Sequence, residues 1–540
     1  MKLRGIITLA LALACTPVFA QTSPGTSPLS IVKGGTGSST GPTARTALGV
    51  LNSRAEAMTK NLTAFDTVMT LGYTTGGDGG GATFKKIGSS AGFIDSFIST
   101  FSIQGGSGCT NGTYGAPSGT RSTTAIIWQK SPNPSIAVGT ATVSGNALTA
   151  VNITGTPGNA YVVGDVLTAQ NPLTGCSVQP TITVTAVTSP QASFIDSAGN
   201  RWQYVPHTWP NVLQFGAKGD WNGTDVGATN NFSAIQAAVN FAAYKSSTSF
   251  DAGGWWGGKV DVPSGSYMMC GSSYFVLPEG TVLDGGVGSG ASMLHLCDAY
   301  NPSLNAFTIC DPIWGFACIN SQYRNISFHS SRSVAVSGGT SMVYSNSLQD
   351  FGGLYNVYFF GGQRICFHFE KGYGGSSWIG AEKISCNPSS PNNVGIKIGN
   401  TAGSGMNLGS TNVSLRDIVI GGPTSSPYQL QAGMQIFGAF TRVENLHCEN
   451  INFQCIYIES PASANGELIS LVNINSQGCA SGGTCTGVVT LGATNDPGNT
   501  VFELIPVPGG YSHVIENGQV GGTSLNTRVV KPITCPNTCS

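Results

Sequence analysis

The sequence predicts an all-β solenoid, a parallel β-helix of stacked coils, and three observations predict it. Six segments, YRNISF, LYNVYF, AEKISC, LRDIVI, VENLHC and LVNINS, share the order apolar, any, polar, aliphatic, any, small or apolar. Their aliphatic centres, Ile326, Val357, Ile384, Ile418, Leu446 and Ile474, follow one another at 31, 27, 34, 28 and 28 residues, a spacing typical of solenoid repeats. Most repeats carry a second alternating strand further on, ICFHFE from Ile365, VGIKIG from Val394, GMQIF from Gly433, CIYIES from Cys455 and GVVTL from Gly487, so each coil holds two strands and a loop-rich return. The composition agrees: 75 glycines among 540 residues and only 9% charged residues favour turns over ion-paired helices, while 40% hydrophobic content suffices for a long core.

In chain order, MKLR precedes the apolar run GIITLALALA, and Val18-Phe19-Ala20 before Gln21 suits signal peptidase, so residues 1–20 read as a signal peptide cleaved after Ala20. A secreted, periplasmic or cell-surface protein is expected. Ala12-Leu13-Ala14 matches a lipobox poorly, which disfavours a lipid anchor at Cys15. Fourteen of the 15 cysteines remain after cleavage, an even number in an oxidising compartment, and the close pairs Cys310 with Cys318, Cys479 with Cys485 and Cys535 with Cys539 are the first disulfides expected. None has CxxC spacing, so no zinc site is expected. A net charge of -1 offers no basic excess for nucleic acid, and no second hydrophobic run is long enough to span a membrane.

Residues 211–268 contain NVLQFGAKGDWNGTDVGATNNFSAIQAAVNFAA and then GGKVDVPSGSY: a strand, a Gly/Asp turn, a short amphipathic helix and a second strand. Asn230 or Asn231 serves as N-cap, and Ala234, Ile235, Ala238 and Phe241 form one apolar stripe. From Phe215 to Tyr267 this stretch resembles the start of the pectate-lyase-superfamily right-handed parallel β-helix, with Val226 where the family has a second Asp. The resemblance implies a right-handed, single-stranded β-helix over residues 211–530, closed by the helix as a cap, with a Cys-containing tail at 531–540. It assigns Asp220 and Asp225 to bracing the cap rather than to catalysis. In four coils of six an Asn (Asn325, Asn356, Asn445, Asn473) precedes the centre, which reads as a structural ladder of stacked amides.

Two further resemblances lie upstream. KGGTGSSTGPTARTALGVL, from Lys33 to Leu51, looks like a repeat common in bacteriophage tail-fibre proteins, within a linker-like segment at 21–70. LGYTTGGDGGGATFKK from Leu71 and FIDSAGNRWQYV from Phe194 look like the two halves of a small β-rich head module that precedes tailspike-like β-helices, here spanning 71–205. Between them, at about 88–192, the alternation of VGTATVSGNALTAVNITG suggests an all-β insertion.

Proteins of this superfamily typically act on, or bind, polysaccharides in a groove along the stacked strands, so the resemblance implies a polysaccharide or glycan partner. Aligning the coils on their centres places Lys383, Asp417, His447 and Glu449 on neighbouring coils. Asp417 and Glu449 are the candidate carboxylate pair of a glycoside hydrolase, with Lys383 or His447 tuning a pKa. The competing reading pairs Lys383 with Asp417 as stacked neighbours, and surface ion pairs are common. A lyase would take Lys383, Arg364 or His447 as base. Tyr358, Phe360, Trp378 and Tyr457 are candidates to stack sugar rings, and His368, Lys397, Gln435 and Tyr457 form a second row, with His368, Lys397 and Tyr457 as binding candidates. Glu382, Arg416 and Glu444 alternate in sign and are assigned to a charge ladder. No cofactor and no metal is expected: the acidic residues do not cluster outside the cap turn, and the polygalacturonase signature is missing. Two readings compete with an enzyme. One is a non-catalytic glycan-binding or adhesion protein; the other is a phage-derived structural spike, for which a homotrimer is the implied assembly.

Overall fold

The computed structural model describes residues 41–529 except 115–125, 131–135, 158, 170–172, 244–257, 287, 289, 311–319, 332–339, 346–350, 363, 371–377, 389–393, 400–411, 423–429, 431, 438–439, 452–453, 459–467, 480–486, 492–498, 505–514 and 518–527. The signal peptide, the lipobox and the tail after 530 lie outside the described residues, as do the partner of Cys310 and the side chains of Trp378, Cys479 and Cys485.

From Lys259 onward the chain is a parallel β-helix. One sheet of 13 strands pairs coil on coil from Lys259–Asp261 through Gly352–Gly361, Trp378–Asn387, Asn412–Gly421, Phe440–Ile451 and Leu468–Cys479 to Arg528–Val529. A second sheet of nine strands runs beside it, from Phe275–Leu277 through Ile365–Phe369, Val394–Gly399 and Ala432–Phe437 to Ile515–Asn517. The pairings within these sheets are parallel, and they keep one register except for an irregularity between Val472 and Ile474 where Leu468–Cys479 meets Asn499–Leu504. The inward rows fill the core: Val260, Leu283, Tyr323, Leu354, Ala381, Leu415, Val443 and Leu471 stack in the first sheet, and Phe307, Val343, Phe367, Ile396, Met434, Ile456 and Val489 in the second, all buried.

Six successive coils of the first sheet are each bent by one residue. Asn325, Asn356, Lys383, Asp417, Asn445 and Asn473 have φ of 52 to 57°, the left-handed region in which Asn is the best tolerated side chain after Gly. Their side chains form the expected ladder: Asn356 Nδ2 donates to Asn325 Oδ1 (2.7 Å), Asn445 Nδ2 to Asp417 Oδ1 (2.8 Å), and Asn473 Nδ2 to Asn445 Oδ1 (2.8 Å). The bend resets the alternation. The centre and the residue three before it both face inward, whereas an unbroken strand of period two would point them to opposite faces.

The helix Phe232–Ala242 caps the first coil, with Ile235, Ala238 and Val239 fully buried. Its N-cap is Asn231, but the capping bond comes from Asn230, whose Oδ1 accepts from Phe232 N (3.1 Å). The buried Asn231 side chain instead ties Lys218 to Thr229 across the Gly/Asp turn. Gln236 exchanges two hydrogen bonds with the backbone of Val276, satisfying an exposed strand edge at the base of the second sheet.

Upstream, Val50–Leu51, Thr67–Thr70, Ala82–Ile87, Arg201–Val205 and Phe194–Ile195 form one sheet in that order, so the strands near Leu71 and Phe194 meet despite their separation in sequence. That sheet starts at Val50, inside the segment expected to be a linker. Its core is continuous with that of the coils: Phe84, Trp202, Tyr204, Phe215 and Phe241 pack ring on ring into the cap. Strands between Ile98 and Val187 form a separate antiparallel sheet of seven strands around Trp128, Tyr161, Leu167 and Ile182.

Disulfides join Cys109 to Cys176, Cys270 to Cys297, Cys366 to Cys386 and Cys448 to Cys455, none of which sequence spacing singled out. Cys310 is also disulfide-bonded. Among the described residues no helix is long and apolar enough to cross a membrane.

Candidate functional site

Beyond the bend, alternation sends two side chains per coil outward from the first sheet, and parallel register stacks them into two adjacent rows. One row holds Met293, Ser327, Tyr358, Ser385, Val419 and His447; the other holds His295, His329, Phe360, Asn387, Gly421 and Glu449. Together they make a strip along the axis of the helix.

The strip is richest at its N-terminal end. His295 and His329 stand on adjacent coils with their Nδ1 atoms 2.7 Å apart. The Gly/Asp turn folds over the outer face here: Trp221 stacks on His295 at 3.8 Å between centroids, and Asp225 Oδ1 accepts from His295 Nε2 at 3.2 Å. The same carboxylate accepts from Trp221 Nε1 (3.1 Å) and from the Asp298 backbone N–H (2.8 Å). Asp225 therefore braces the turn, as expected, and in doing so also meets a histidine. Asp220 has only the bracing role, accepting from the backbone and hydroxyl of Thr229. On the far side Phe360 stacks on both His329 (4.3 Å) and Tyr358 (5.3 Å). Among the described residues no group of three or more His, Cys, Asp or Glu side chains converges to hold a metal ion, so Asp225, His295 and His329 form a linear chain rather than a ligand cage.

The expected carboxylate cluster divides between two places. His447 and Glu449 lie on one face of one strand, with Nε2 to Oε1 at 2.8 Å. Lys383 and Asp417 sit at the bend rather than on the strip. Asp417 accepts from Asn445 in the ladder, and its ion pair is with Arg416 at 3.9 Å; Lys383 donates to the Tyr355 hydroxyl (3.2 Å) and lies over that ring, a bond that raises the lysine's pKa. Asn445, beside Asp417, is four residues before Glu449, about 13 Å of extended strand. The two carboxylates thus have different neighbours, Asp417 in the ladder and Glu449 beside His447. Of the proposed charge ladder, Arg416 pairs with Glu382 at 2.6 Å, while Glu444 pairs with Arg442.

The second-sheet row has the predicted register of His368, Lys397, Gln435 and Tyr457, but its leading member is not a surface group. His368 is 6% exposed and donates from Nε2 to the Gly399 carbonyl (2.8 Å), and burial lowers its pKa to about 4. Lys397 is half-buried over the Phe437 ring, where desolvation lowers its pKa; Tyr457 is half-buried with its edge toward the same ring. Arg364 is buried, its guanidinium over Tyr300 and donating to the carbonyls of Leu304 and Asn301, so it clamps a loop rather than facing a ligand.

Trp221 and His295 were missed because the repeat alignment begins at Ile326. In the preceding coil the chain leaves the sheet between Val282–Asp284 and Ser292–Leu296, which erases the spacing. The signal present in sequence is the alternation of SMLHL, which places His295 one residue before the end of an apolar strand.

No known protein family profile matches the chain, and no curated protein matches it. Among solved structures it is similar to the enzymatically active domain of bacteriophage CBA120 tailspike protein 2 (10% identity, TM-score 0.36, covering 61% of this chain and 48% of that one). It is also similar to the tailspike gp49 of Acinetobacter baumannii bacteriophage Fri1, a capsular polysaccharide depolymerase (10%, TM-score 0.33, 90% and 76%). A third is the catalytic unit of a GH87 α-1,3-glucanase from Streptomyces thermodiastaticus (12%, TM-score 0.19, 81% and 90%). The chain thus spans about half the length of the first of these, and at such scores no residue-level correspondence follows.

Proposed function

We propose that the chain is a secreted carbohydrate-active protein that lays a polysaccharide along the outward strip of the first sheet and cleaves it. The observation that carries this reading is the strip itself: imidazole, aromatic and amide groups follow one another on consecutive coils, and an imidazole with a carboxylate follows beyond the coil of Val419 and Gly421, all outside an apolar core. Such a row supplies what a glycan chain needs, hydrogen-bonding groups at regular intervals with aromatic surface between them. His447 with Glu449, and Asn387, which donates toward the Tyr358 hydroxyl at 3.4 Å, are the groups offered to sugar hydroxyls. The disulfides support an oxidising compartment.

A screen of the mature protein against bacterial exopolysaccharides and plant pectins, reading both reducing ends and the absorbance of unsaturated uronates, tests the reading. New reducing ends alone identify a hydrolase, and absorbance identifies a lyase. Binding without either signal would leave the coils as a recognition surface and overturn the claim of cleavage.

A further inference from the structure

We propose that Arg324, Tyr355 and Lys383 form a second binding face, around the corner from the strip, that holds the carboxylate-bearing units of an acidic polysaccharide. The assignment rests on the polysaccharide reading above and adds to it a site and a charge for the ligand.

The face belongs to the arm of the first sheet that precedes the bend. Parallel register places Arg324, Tyr355 and Glu382 in one outward row on successive coils, with Lys383 at the corner beside Glu382. The Tyr355 ring is 36% exposed and meets a cation from each neighbouring coil, the Arg324 guanidinium at 5.9 Å and the Lys383 ammonium at 5.2 Å from its centroid. Lys383 Nζ donates to the Tyr355 hydroxyl (3.2 Å) and Arg324 Nε to Gln322 Oε1 (2.6 Å), so neutral groups hold both cations in place. The coils that carry them are two strand spacings apart, about 10 Å.

The anions nearby are matched without these two residues. One coil before Arg324, Asp284 pairs with Lys259 at 3.1 Å; one coil after Tyr355, Glu382 pairs with Arg416 at 2.6 Å. Asp417, one coil beyond Lys383, accepts from Asn445 and stands 3.9 Å from Arg416. Among the described residues neither Arg324 nor Lys383 makes an ion pair, so two positive charges are left over on one exposed face.

The backbone supplies an independent observation. Lys383 stands at φ 57° in the ladder position that is Asn or Asp in the other five coils. A lysine has no amide oxygen with which to pass the ladder on, and it is less at ease than Asn in the left-handed region. Phe351, immediately before the strand of Tyr355, repeats the pattern: φ 60°, a bulky ring 64% exposed, and a carbonyl that accepts from the same Gln322 side chain that holds Arg324. Strained residues that present a charge and an aromatic ring to solvent point to recognition rather than to packing. A guanidinium fork and an ammonium both take carboxylates, and an exposed ring takes the apolar face of a sugar. A uronate polymer brings both groups in every acidic unit, whereas a neutral glycan would leave the two cations without a partner.

Binding of polygalacturonate oligomers and of their methyl esters to the mature protein, followed by calorimetry, tests the assignment, because esterification removes the charge and keeps the sugar. The wild type should bind the acid about tenfold more tightly than the ester, with an affinity that falls as salt is raised. Arg324→Gln combined with Lys383→Gln should remove most of that preference, while Arg442→Gln, whose guanidinium is already paired with Glu444, should keep it. Lys383→Asn gives a second readout: it should weaken binding of the acid while holding or raising the thermal midpoint, since Asn suits the left-handed corner. Equal affinity of the wild type for acid and ester, a loss in Arg442→Gln as large as in the double variant, or a lower midpoint in Lys383→Asn would overturn the site. A wild type that binds the acid through these residues and cleaves no glycan would sink the claim of cleavage and leave this site standing; one that binds no glycan would sink both.

Discussion

One left-handed residue per coil decides which side chains reach solvent. In YRNI, LYNV and LRDI the apolar residues are three apart, not two, and the residue between the arms absorbs the odd step with positive φ. That spacing is legible in the sequence, and the Asn ladder was read from it; but counting outward positions by simple alternation placed Lys383 and Asp417 on the strip when they occupy the corner. Asn356→Ala should therefore cost about 2 to 3 kcal/mol, the left-handed penalty plus one ladder bond, and Asn356→Gly only the smaller, hydrogen-bond part, compared by denaturant unfolding. Gly361→Ala, at φ 68° with a new Cβ 2.5 Å from the Ser330 carbonyl oxygen, should destabilise comparably and disturb His329. Buried His368 gives a pH signature. Its native pKa of about 4 lies below the value near 6.5 of an unfolded chain, so between these pH values only the unfolded state binds the proton. Stability should be full above about pH 6.5 and fall as pH drops toward 4, and His368→Gln should flatten that limb in melts followed against pH.

At the scale of elements, the strands were legible because stacking imposes one pattern on every coil, and the cap helix because its stripe and N-cap region are local. The disulfides were not legible: Cys366 and Cys386 meet because the second strand of one coil packs across from the first strand of the next, a relation in space that spacing does not encode. Cys270→Ala with Cys297→Ala, opening a loop of 27 residues between the first coils, should cost about 3 kcal/mol by chain entropy, read as a lowered midpoint that reductant reproduces in the wild type. The head sheet shows the same limit in another form, since its halves are adjacent only because the intervening sheet returns to its starting point. Phe97 and Thr188 close that return with two hydrogen bonds, Thr188 N to Phe97 O (2.8 Å) and Phe97 N to Thr188 Oγ1 (2.9 Å).

For the whole molecule, one apolar core runs from Leu51 in the head sheet to Val489 in the late coils, and a second lies within residues 98–187. Replacing 98–187 by a short turn should leave the melting of the coils within a few degrees of the full chain, whereas Leu415→Ala in the shared core should cost about 2 to 5 kcal/mol. The stacked architecture was legible throughout; which outward side chains meet was legible only where the repeat alignment reached, so the neighbours His447 and Glu449 could be read from it and Trp221 and His295 could not. The central claim is that function resides on the outward strip of the first sheet and not on the row of the second. Once the screen has identified a substrate, its turnover by Tyr358→Ala should be compared with that by Lys397→Gln in folded proteins. The account predicts a large loss in kcat/KM for the first and near wild-type turnover for the second; the reverse order would place the site on the second sheet and contradict it.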